Sequence, residues 1–232
     1  MSEISIAQKK YLSAQKRHKN TVILSRCLIF IAFLVLWETT ATLGIIDSFI
    51  FSSPSKVILC FCQMLLNHSL LYHIGITLFE TIVSFVLVIV TALAITILLW
   101  FFRKLSETLE PYLVVLNSLP KSALAPLLIV WLGANYRTII VTGMSVAIFG
   151  SILSLYTSFQ SVDPEKIKLI YTLGGKKYHV MTKVILPSNI PELFSLMKVN
   201  IGLCLVGVII GEFIASKSGL GYLIIYGSQV FS

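Results

Sequence analysis

The chain of 232 residues is 56% hydrophobic and only 12% charged, and it has a mean hydropathy of +0.91 and a formal net charge of +8. Soluble domains carry about 25% charged residues, because a soluble surface has to be wetted. This composition excludes an ordinary soluble protein, and the segregation of the basic residues into a few loops argues against a nucleic-acid partner. A lipid bilayer is the solvent that suits the chain.

Long apolar runs predict membrane-spanning helices. Three of them are long enough to cross about 30 Å of hydrocarbon at about 1.5 Å per residue, namely Cys27–Ile46, Thr81–Phe102 and Thr138–Val162. Two further segments, Tyr112–Tyr136 and Pro191–Gly211, contain prolines or charges, which a bilayer tolerates where they face other helices or water. Only helices satisfy the backbone of such segments in lipid. We therefore expect an all-α, polytopic transmembrane helix bundle of about five spans.

The basic residues lie mainly in alternate loops. Thirteen of the 18 lysines and arginines fall in the first 26 residues, in the loop after the second span, or in the loop after the fourth. By the positive-inside rule these segments are cytoplasmic, which places the N-terminus in the cytoplasm. The sequence thus divides into a basic cytoplasmic N-terminal segment, 1–26, and a transmembrane domain, 27–232.

Two segments on the predicted outer side have recognisable local signals. Ser53 and Pro54 are typical of an N-cap and the first position of a helix, so a short helix is expected there. The last 15 residues, Ser218–Ser232, are uncharged and too short to cross the bilayer. They begin with Gly219–Gly221, which predicts a flexible connection. Cys60 and Cys62 lie beside no further ligand residues, so no metal site is expected.

The loop of residues 161–191, between the fourth and fifth spans, is the most informative segment. Its sequence predicts a helix over Pro164–Leu173 with one apolar face, ended by Gly174 and Gly175 in a left-handed turn. A second short amphipathic piece, Lys177–Ile185, leads to Leu186–Pro187, where the helix is expected to break. Physical reasoning leaves three interpretations open: a plain solvated loop, an interfacial helix on anionic lipid, and a docking element for a soluble partner.

The same loop resembles the EAA loop of ABC-importer permeases. Gly174 falls at the glycine of that pattern, Leu186–Pro187 at its Leu-Pro ending, and Val184 at the aliphatic position two before the leucine. The sequence departs from the pattern at its start, where Lys168–Ile170 replace Glu-Ala-Ala. This departure concerns the polar contact that the acidic residue usually makes with the ATPase.

Three other segments extend the resemblance over about residues 25–232. Three segments are similar to segments of nitrate/sulfonate/taurine-type permeases and occur in the same order: FSSPSKV, Leu119–Gly133 and Gly211–Ile224. That family has a MetI-like permease core and continues with one more span. We therefore expect 27–232 to be a permease domain with a cytoplasmic coupling loop, 161–191, and the chain to lack the last transmembrane helix of the family.

The resemblance implies a transport subunit of the bacterial inner membrane. According to this resemblance, two permease copies, most simply a homodimer, form the pathway in the bilayer. A binding protein delivers a small solute from outside, and a cytoplasmic ATPase binds ATP. The sequence itself contains no Gly-rich phosphate loop followed by Lys and Ser or Thr. No catalytic residue, metal, cofactor or nucleic-acid partner is expected. Sulfonates, taurine, nitrate and a thiamine-precursor pyrimidine are the solutes that the resemblance suggests.

Two sets of candidate site residues follow. The expected ATPase-coupling residues are Lys168, Leu169, Ile170, Tyr171, Leu173, Gly174, Tyr178, Val184, Leu186 and Pro187. The tyrosines also suit lipid headgroups, and Gly174 also suits a simple C-cap. The pathway candidates are Pro120, Lys121 and Glu212, because charges and kinks inside a membrane often line a path. Lys121 could instead snorkel to the cytoplasmic face, and Glu212 could be solvated near the outer interface.

Two other classes of membrane protein are alternatives. An ion-gradient-driven secondary transporter would show repeated halves or paired broken helices with buried acids, and the sequence shows no repeat. A membrane enzyme would need a nucleophile, base or metal cluster near one face, and no such pattern is present.

Overall fold

The computed structural model describes residues 6–46 and 51–230, and all regular secondary structure in these ranges is helical. The helices are α1 (Ile6–Thr42), α2 (Pro54–Leu66), α3 (Ser69–Phe101), α4 (Arg103–Ser118), α5 (Lys121–Leu132), α6 (Tyr136–Gln160), α7 (Pro164–Thr172), α8 (Lys177–Val180), α9 (Leu186–Ser188), α10 (Ile190–Ala215) and α11 (Leu220–Val230). A π-helical turn, Met181–Ile185, joins α8 to α9. The chain forms two compact units, α1 with α2 and α3 through α11.

Four helices in the described ranges are long and apolar enough to cross a membrane: Gln15–Thr42, Ser69–Phe101, Tyr136–Gln160 and Ile190–Ala215. They correspond to four of the five predicted spans, which confirms the polytopic all-α bundle. The remaining predicted span, Tyr112–Tyr136, is not one straight helix.

The chain bends by 106° between α4 and the residues Ala123–Leu132 of α5. The bend lies at Leu119 and Pro120, which have extended ψ angles of 143° and 106°. A residue before proline avoids the helical region, and the proline ring cannot continue the preceding helix. The described residues thus have four spans, or five if the bent pair counts as one.

The first unit consists of α1 and α2. Because α1 runs without a break from Ile6 to Thr42, the boundary proposed after residue 26 falls inside a continuous helix. The predicted start of α2 is confirmed, since Pro54 occupies the first turn and the Ser53 side chain accepts a hydrogen bond from the Lys56 amide at 3.4 Å. The Glu38 carboxylate accepts from the Ser55 amide at 3.1 Å, so this acid stabilises the N-terminus of α2.

The second unit is built on close contact between α6 and α10 at glycines. A Cβ atom on Gly207 would lie 2.8 Å from the Cα of Gly143, and one on Gly211 would lie 3.2 Å from the Cα of Ile139. Gly207 and Gly211 are four residues apart and therefore share one face of α10. Small residues at this spacing let membrane helices approach closely, which increases their packing contact.

Polar side chains also join the three long helices of the second unit. The Asn200 amide of α10 donates to the Ser151 hydroxyl of α6 at 2.8 Å, and the Ser84 hydroxyl of α3 donates to the Ile140 carbonyl of α6 at 3.1 Å. Hydrogen bonds of this kind between membrane helices contribute about 0.6 to 2 kcal/mol each. They fix the register in which α3, α6 and α10 present their ends to the connecting loops.

Candidate functional site

The 161–191 loop begins with a well-capped helix. The Asp163 carboxylate accepts from the Glu165 amide at 2.9 Å, and Pro164 starts α7. At the other end, the Gly175 amide donates to the Ile170 carbonyl at 2.8 Å and the Gly174 amide donates to the Tyr171 carbonyl at 3.0 Å. These two bonds form a Schellman motif, which satisfies the last carbonyls of the helix. The helix–glycine turn predicted from the sequence is therefore present.

The two glycines of this turn are required for different reasons. Gly174 has a φ of +77°, but a Cβ atom on it would meet nothing within 4 Å. Gly175 lacks that backbone constraint, yet its Cβ would lie 2.4 Å from Cγ2 of Ile170 and 2.7 Å from its carbonyl oxygen. Gly174 thus supplies the left-handed turn and points to open space, whereas Gly175 allows the chain to return onto α7.

The predicted break at Pro187 is wrong. The chain continues from α8 through the π turn into α9, with the Leu186 amide bonded to the Met181 carbonyl, and the helical path is interrupted at Asn189. A π turn widens the helix by one residue, so the proline ring enters the first turn of α9 without ending the helical path. Asn189 then closes this path, since its side-chain amide donates to the Ile185 carbonyl at 2.7 Å.

One face of the loop is anchored to the bundle. Val180, Met181 and Ile185 are buried against Phe159 at the end of α6. Side chains from the C-terminal part of α3 and from α7 complete this cluster: Leu93, Ile97, Trp100, Phe101, Ile167 and Ile170. The loop is therefore packed on the ends of two long helices, and its position follows theirs.

The other face of the loop carries exposed apolar side chains. Leu173 is 75% exposed, Tyr178 64%, Leu169 58% and Tyr171 48%. The structure thus leaves four of the predicted coupling residues available to a partner. Exposed large apolar groups grouped on one short segment are typical of an interaction surface.

The remaining predicted coupling residues divide between the two faces. Lys168 and Pro187 are exposed, whereas Val184 is buried and Leu186 is half-buried. Ile170 packs inward against the Phe159 cluster. Val184 is therefore placed to hold the loop in position, and the half-buried Leu186 and Ile170 pack on the Phe159 cluster, a distinction that the sequence pattern does not make.

The three pathway candidates do not form one site, because they differ in their position in the chain and in their exposure. Pro120 is exposed at the bend, Lys121 is half-buried at the start of α5, and Glu212 is 0% exposed in the last turn of α10. In the described part of the chain no hydrogen bond or ion pair joins Lys121 to Glu212. The solvated placement considered for Glu212 is wrong, because the carboxyl group is enclosed by α3 and by the start of α11.

Glu212 belongs to a buried polar cluster at the N-terminus of α11. Its Oε1 accepts from the Thr77 hydroxyl at 2.7 Å, and its Oε2 accepts from the Gly221 amide at 2.6 Å. The Leu220 amide donates to the Thr77 hydroxyl at 2.8 Å, and the Gly219 amide donates to Nδ1 of His73 at 2.9 Å. Side chains of α3 and α10 thus bind three successive amides that a helix N-terminus leaves without partners.

The predicted flexible connection at Gly219–Gly221 is therefore fixed in place. Gly219 has a φ of +102°, and a Cβ atom on it would lie 2.3 Å from the Glu212 carboxylate. A Cβ on Gly221 would lie 2.6 Å from the Glu212 Cβ and the Ile209 carbonyl. These glycines allow the backbone to reach the carboxylate, and the segment that follows them is the helix α11.

Several residues of the two sites were not singled out by sequence reasoning. Thr77 and Glu80 precede the predicted second span, Thr81–Phe102, and only the structure extends this helix back to Ser69 and so includes them. Gly175 was recognised only as part of a helix end. Lys177 was counted as a topological charge, and only the fold shows that it reaches the end of α3.

With this geometry described, comparison with known proteins decides the family. Residues 88–231 match the family described as the inner membrane component of binding-protein-dependent transport systems. The chain belongs to this family. The match favours an ABC-importer permease over the secondary transporter and the enzyme, and it agrees with a multi-pass protein of the inner membrane.

Relatives agree with this family over most of the chain. A protein of Haemophilus influenzae named "Probable ABC transporter permease protein" is 30% identical over 89% of this chain and 83% of its own. The formylaminopyrimidine transport permease protein ThiX of Halalkalibacterium halodurans is 24% identical over 84% of this chain and 77% of its own. The riboflavin transport system permease protein RibX of Chloroflexus aurantiacus is 30% identical over 82% of this chain and 71% of its own.

As a member of this family, the chain is a transport subunit of an ABC importer. Membership implies a cytoplasmic ATPase subunit and a substrate-binding protein as partners. The many exposed apolar side chains of the long helices, among them Phe79, Val90 and Val206, suit a lipid or subunit environment.

Proposed function

We propose that the 161–191 loop is the element through which this permease couples to its ATPase. The observation that carries the proposal is the division of the loop into two faces. Leu169, Tyr171, Leu173 and Tyr178 are exposed, while the opposite face is packed on the ends of α3 and α6. A force applied to the exposed face would therefore move the ends of two spanning helices together.

ATP itself is bound by the partner in this proposal. The permease contributes a shaped apolar contact, and ATP-driven closure of the ATPase changes that contact. A conformational equilibrium shifts only through contacts that differ between its states. The loop transmits this difference to α3 and α6, and two copies of the permease, as a homodimer, form the pathway between them.

The departure from the EAA pattern is compatible with this assignment. Lys168–Ile170 replace the Glu-Ala-Ala start, but the Schellman turn and both apolar faces are present. The docking contact proposed here is mainly apolar, with Lys168 as an exposed cation beside it. A carboxylate on the ATPase would be the partner that this cation favours.

The transported solute is proposed to be a small sulfonate-like or nitrate-like anion, or a thiamine-precursor-like pyrimidine. The similarity to ThiX supports the pyrimidine. Calorimetric titration of the cognate binding protein with one solute of each class tests this part. Failure to bind any of them would contradict the substrate proposal and leave the coupling proposal untouched.

The coupling proposal is tested by replacing Leu173, the most exposed of the four apolar side chains, with glutamate. The Leu173→Glu variant should insert into the membrane but should no longer co-purify with the ATPase. Leu66→Glu is a matched control, since Leu66 is 79% exposed and lies on the predicted opposite side of the membrane. Equal co-purification of both variants with the ATPase would refute the loop as the docking element.

A further inference from the structure

Glu80 is a second buried acid beside Glu212, and neither the family nor the coupling loop accounts for it. Glu80 is 4% exposed and Glu212 is 0% exposed. Glu80 lies one turn after Thr77 on the same face of α3, and Thr77 is bonded to Glu212. Because Thr77 joins α3 to α10 at this level, two buried acids from different helices lie close together inside the bundle.

The two carboxyl groups have different surroundings. Glu212 accepts hydrogen bonds from Thr77 and from the amide of Gly221 at the N-terminus of α11, where the helix dipole favours an anion. Glu80 has one oxygen, Oε2, that is buried without any partner, and the neighbouring Thr81 hydroxyl is also unpartnered. A charged oxygen left in this way costs far more free energy than a neutral carbonyl oxygen.

We infer that the buried Glu80 and Glu212 pair holds one proton, which resides on Glu80, and that this proton keeps the N-terminus of α11 in place. Two adjacent buried carboxylates cannot both be ionised without a counter-cation. Since Glu212 has the hydrogen-bond donors, the proton resides on Glu80. Glu80 is thus a positioning residue that acts on α11 through Glu212.

Other titratable groups near the pair leave this assignment unchanged. His73 accepts a hydrogen bond from the Gly219 amide at Nδ1, so that nitrogen carries no proton. The centre of its ring lies 5.9 Å from the centre of the Tyr222 ring. On α6, the Arg137 side chain donates to the Tyr136 hydroxyl at 3.2 Å. Lys217, between α10 and α11, is exposed. Among the described residues, no cation is bonded to either acid.

A pocket gives the proton a route to the exterior. It has a volume of about 530 Å³ and is lined by Glu80, Tyr72, Tyr136 and Ser218 among others. Raising the pH should remove the proton through this opening. The two carboxylates then repel each other, and the hydrogen bonds that Glu212 accepts from Thr77 and Gly221 are weakened. The capping of α11 is therefore expected to hold at neutral pH and to be lost at alkaline pH.

The proton is tested directly by infrared spectroscopy of the purified full chain in detergent. A C=O stretching band of a protonated carboxyl group should be present at neutral pH and should disappear as the pH is raised. The band should be absent from Glu80→Gln and retained in Glu107→Gln, because the Glu107 side chain is 62% exposed and paired with Arg103. Absence of the band in the wild type, or its retention in Glu80→Gln, would overturn the inference.

The effect of the proton on α11 is tested by hydrogen exchange of the amides of Gly219, Leu220 and Gly221. Glutamine imitates a protonated glutamate, so Glu80→Gln should protect these amides as well as the wild type does at neutral pH. At alkaline pH the wild type should lose protection by at least about tenfold relative to Glu80→Gln measured at the same pH. Equal protection at every pH would show that the proton does not hold α11.

A bound cation is the alternative that the same experiment distinguishes. If a cation neutralised Glu80, the glutamine variant would lose protection already at neutral pH, which would contradict a shared proton. Neither measurement involves ATP, the ATPase or a transported solute. Failure of this inference is therefore distinguishable from failure of the coupling proposal.

Discussion

The ammonium group of Lys177 donates a hydrogen bond to the main-chain carbonyl of Phe101, with a distance of 2.5 Å. The same ammonium group lies 5.2 Å from the centre of the Trp100 ring, in the range of a cation–π contact. Lys177 opens α8, whereas Phe101 ends α3. This contact thus binds the 161–191 loop to the last carbonyls of a spanning helix, where a cation is favoured by the helix dipole.

Removing the Lys177 ammonium group should loosen the link between the loop and α3. In Lys177→Met we expect a loss of about 1 kcal/mol of stability, because the charged hydrogen bond is exposed to water. The ATPase should still bind, but ATP hydrolysis stimulated by the loaded binding protein should fall in the reconstituted complex. Lys176→Met is the control, since the neighbouring Lys176 is exposed and makes no side-chain capping bond. An equal effect of both substitutions would mean that only the local charge matters.

Replacing Gly174 with aspartate should abolish uptake while the protein still inserts into the membrane. The space beyond Gly174 is open, so the new carboxylate would protrude into the proposed ATPase contact. Gly44→Asp is a close control because Gly44 has a φ of +70° and equally open space, on the predicted outer side. Both variants carry the same backbone strain of about 1 to 3 kcal/mol, and normal uptake by Gly174→Asp would remove the coupling assignment.

Gly207→Ala should destabilise the packing of α10 on α6. The added methyl group would lie 2.8 Å from the Cα of Gly143, and overpacking of this kind costs about 1 to 3 kcal/mol. Gly202→Ala, on the same helix but with nothing within 4 Å, should be neutral or slightly stabilising, because alanine favours a helix. Thermal unfolding of both variants in detergent, followed by circular dichroism, measures the difference, and equal midpoints would argue against close α6–α10 contact.

Gly219→Ala should release the start of α11. The left-handed backbone and the short distance to the Glu212 carboxylate both oppose a side chain at this position, at a cost of about 1 to 3 kcal/mol. Limited proteolysis should then cut the 216–221 segment faster than in the wild type. Gly227→Ala lies on α11 with open space around it and should leave the cleavage rate unchanged. Slow cleavage of Gly219→Ala would show that the segment tolerates the change.

Much of the fold follows from local sequence patterns. Apolar run length predicts four of the spans, and Ser53–Pro54 and Asp163–Pro164 mark two helix starts that the structure confirms. These signals are readable because a helix in lipid satisfies its own backbone hydrogen bonds and its caps act within one turn. The bend at Pro120 is also a local effect, but its angle of 106° depends on what the two halves pack against.

The passage through Pro187 shows where local rules stop being sufficient. A proline predicts a break, yet the π turn before it keeps the helical path, and this turn is stabilised by burial of Met181 and Ile185 against Phe159. The division of the loop into an anchored and an exposed face depends on the same burial. Sequence spacing assigns Val184 and Leu173 to one motif, and only packing separates them.

By itself, the sequence determined that this protein is a helical membrane protein with basic loops on one side and an EAA-like loop between its last two long spans. Only the tertiary structure decided what its isolated polar residues do. Thr77 and Glu80 lie one turn apart on α3, but Glu212 follows Thr77 by 135 residues, so their proximity at the start of α11 depends on the contact of α3 with α10. The cost of burying each group is set by its neighbours, and those neighbours exist only in the folded bundle.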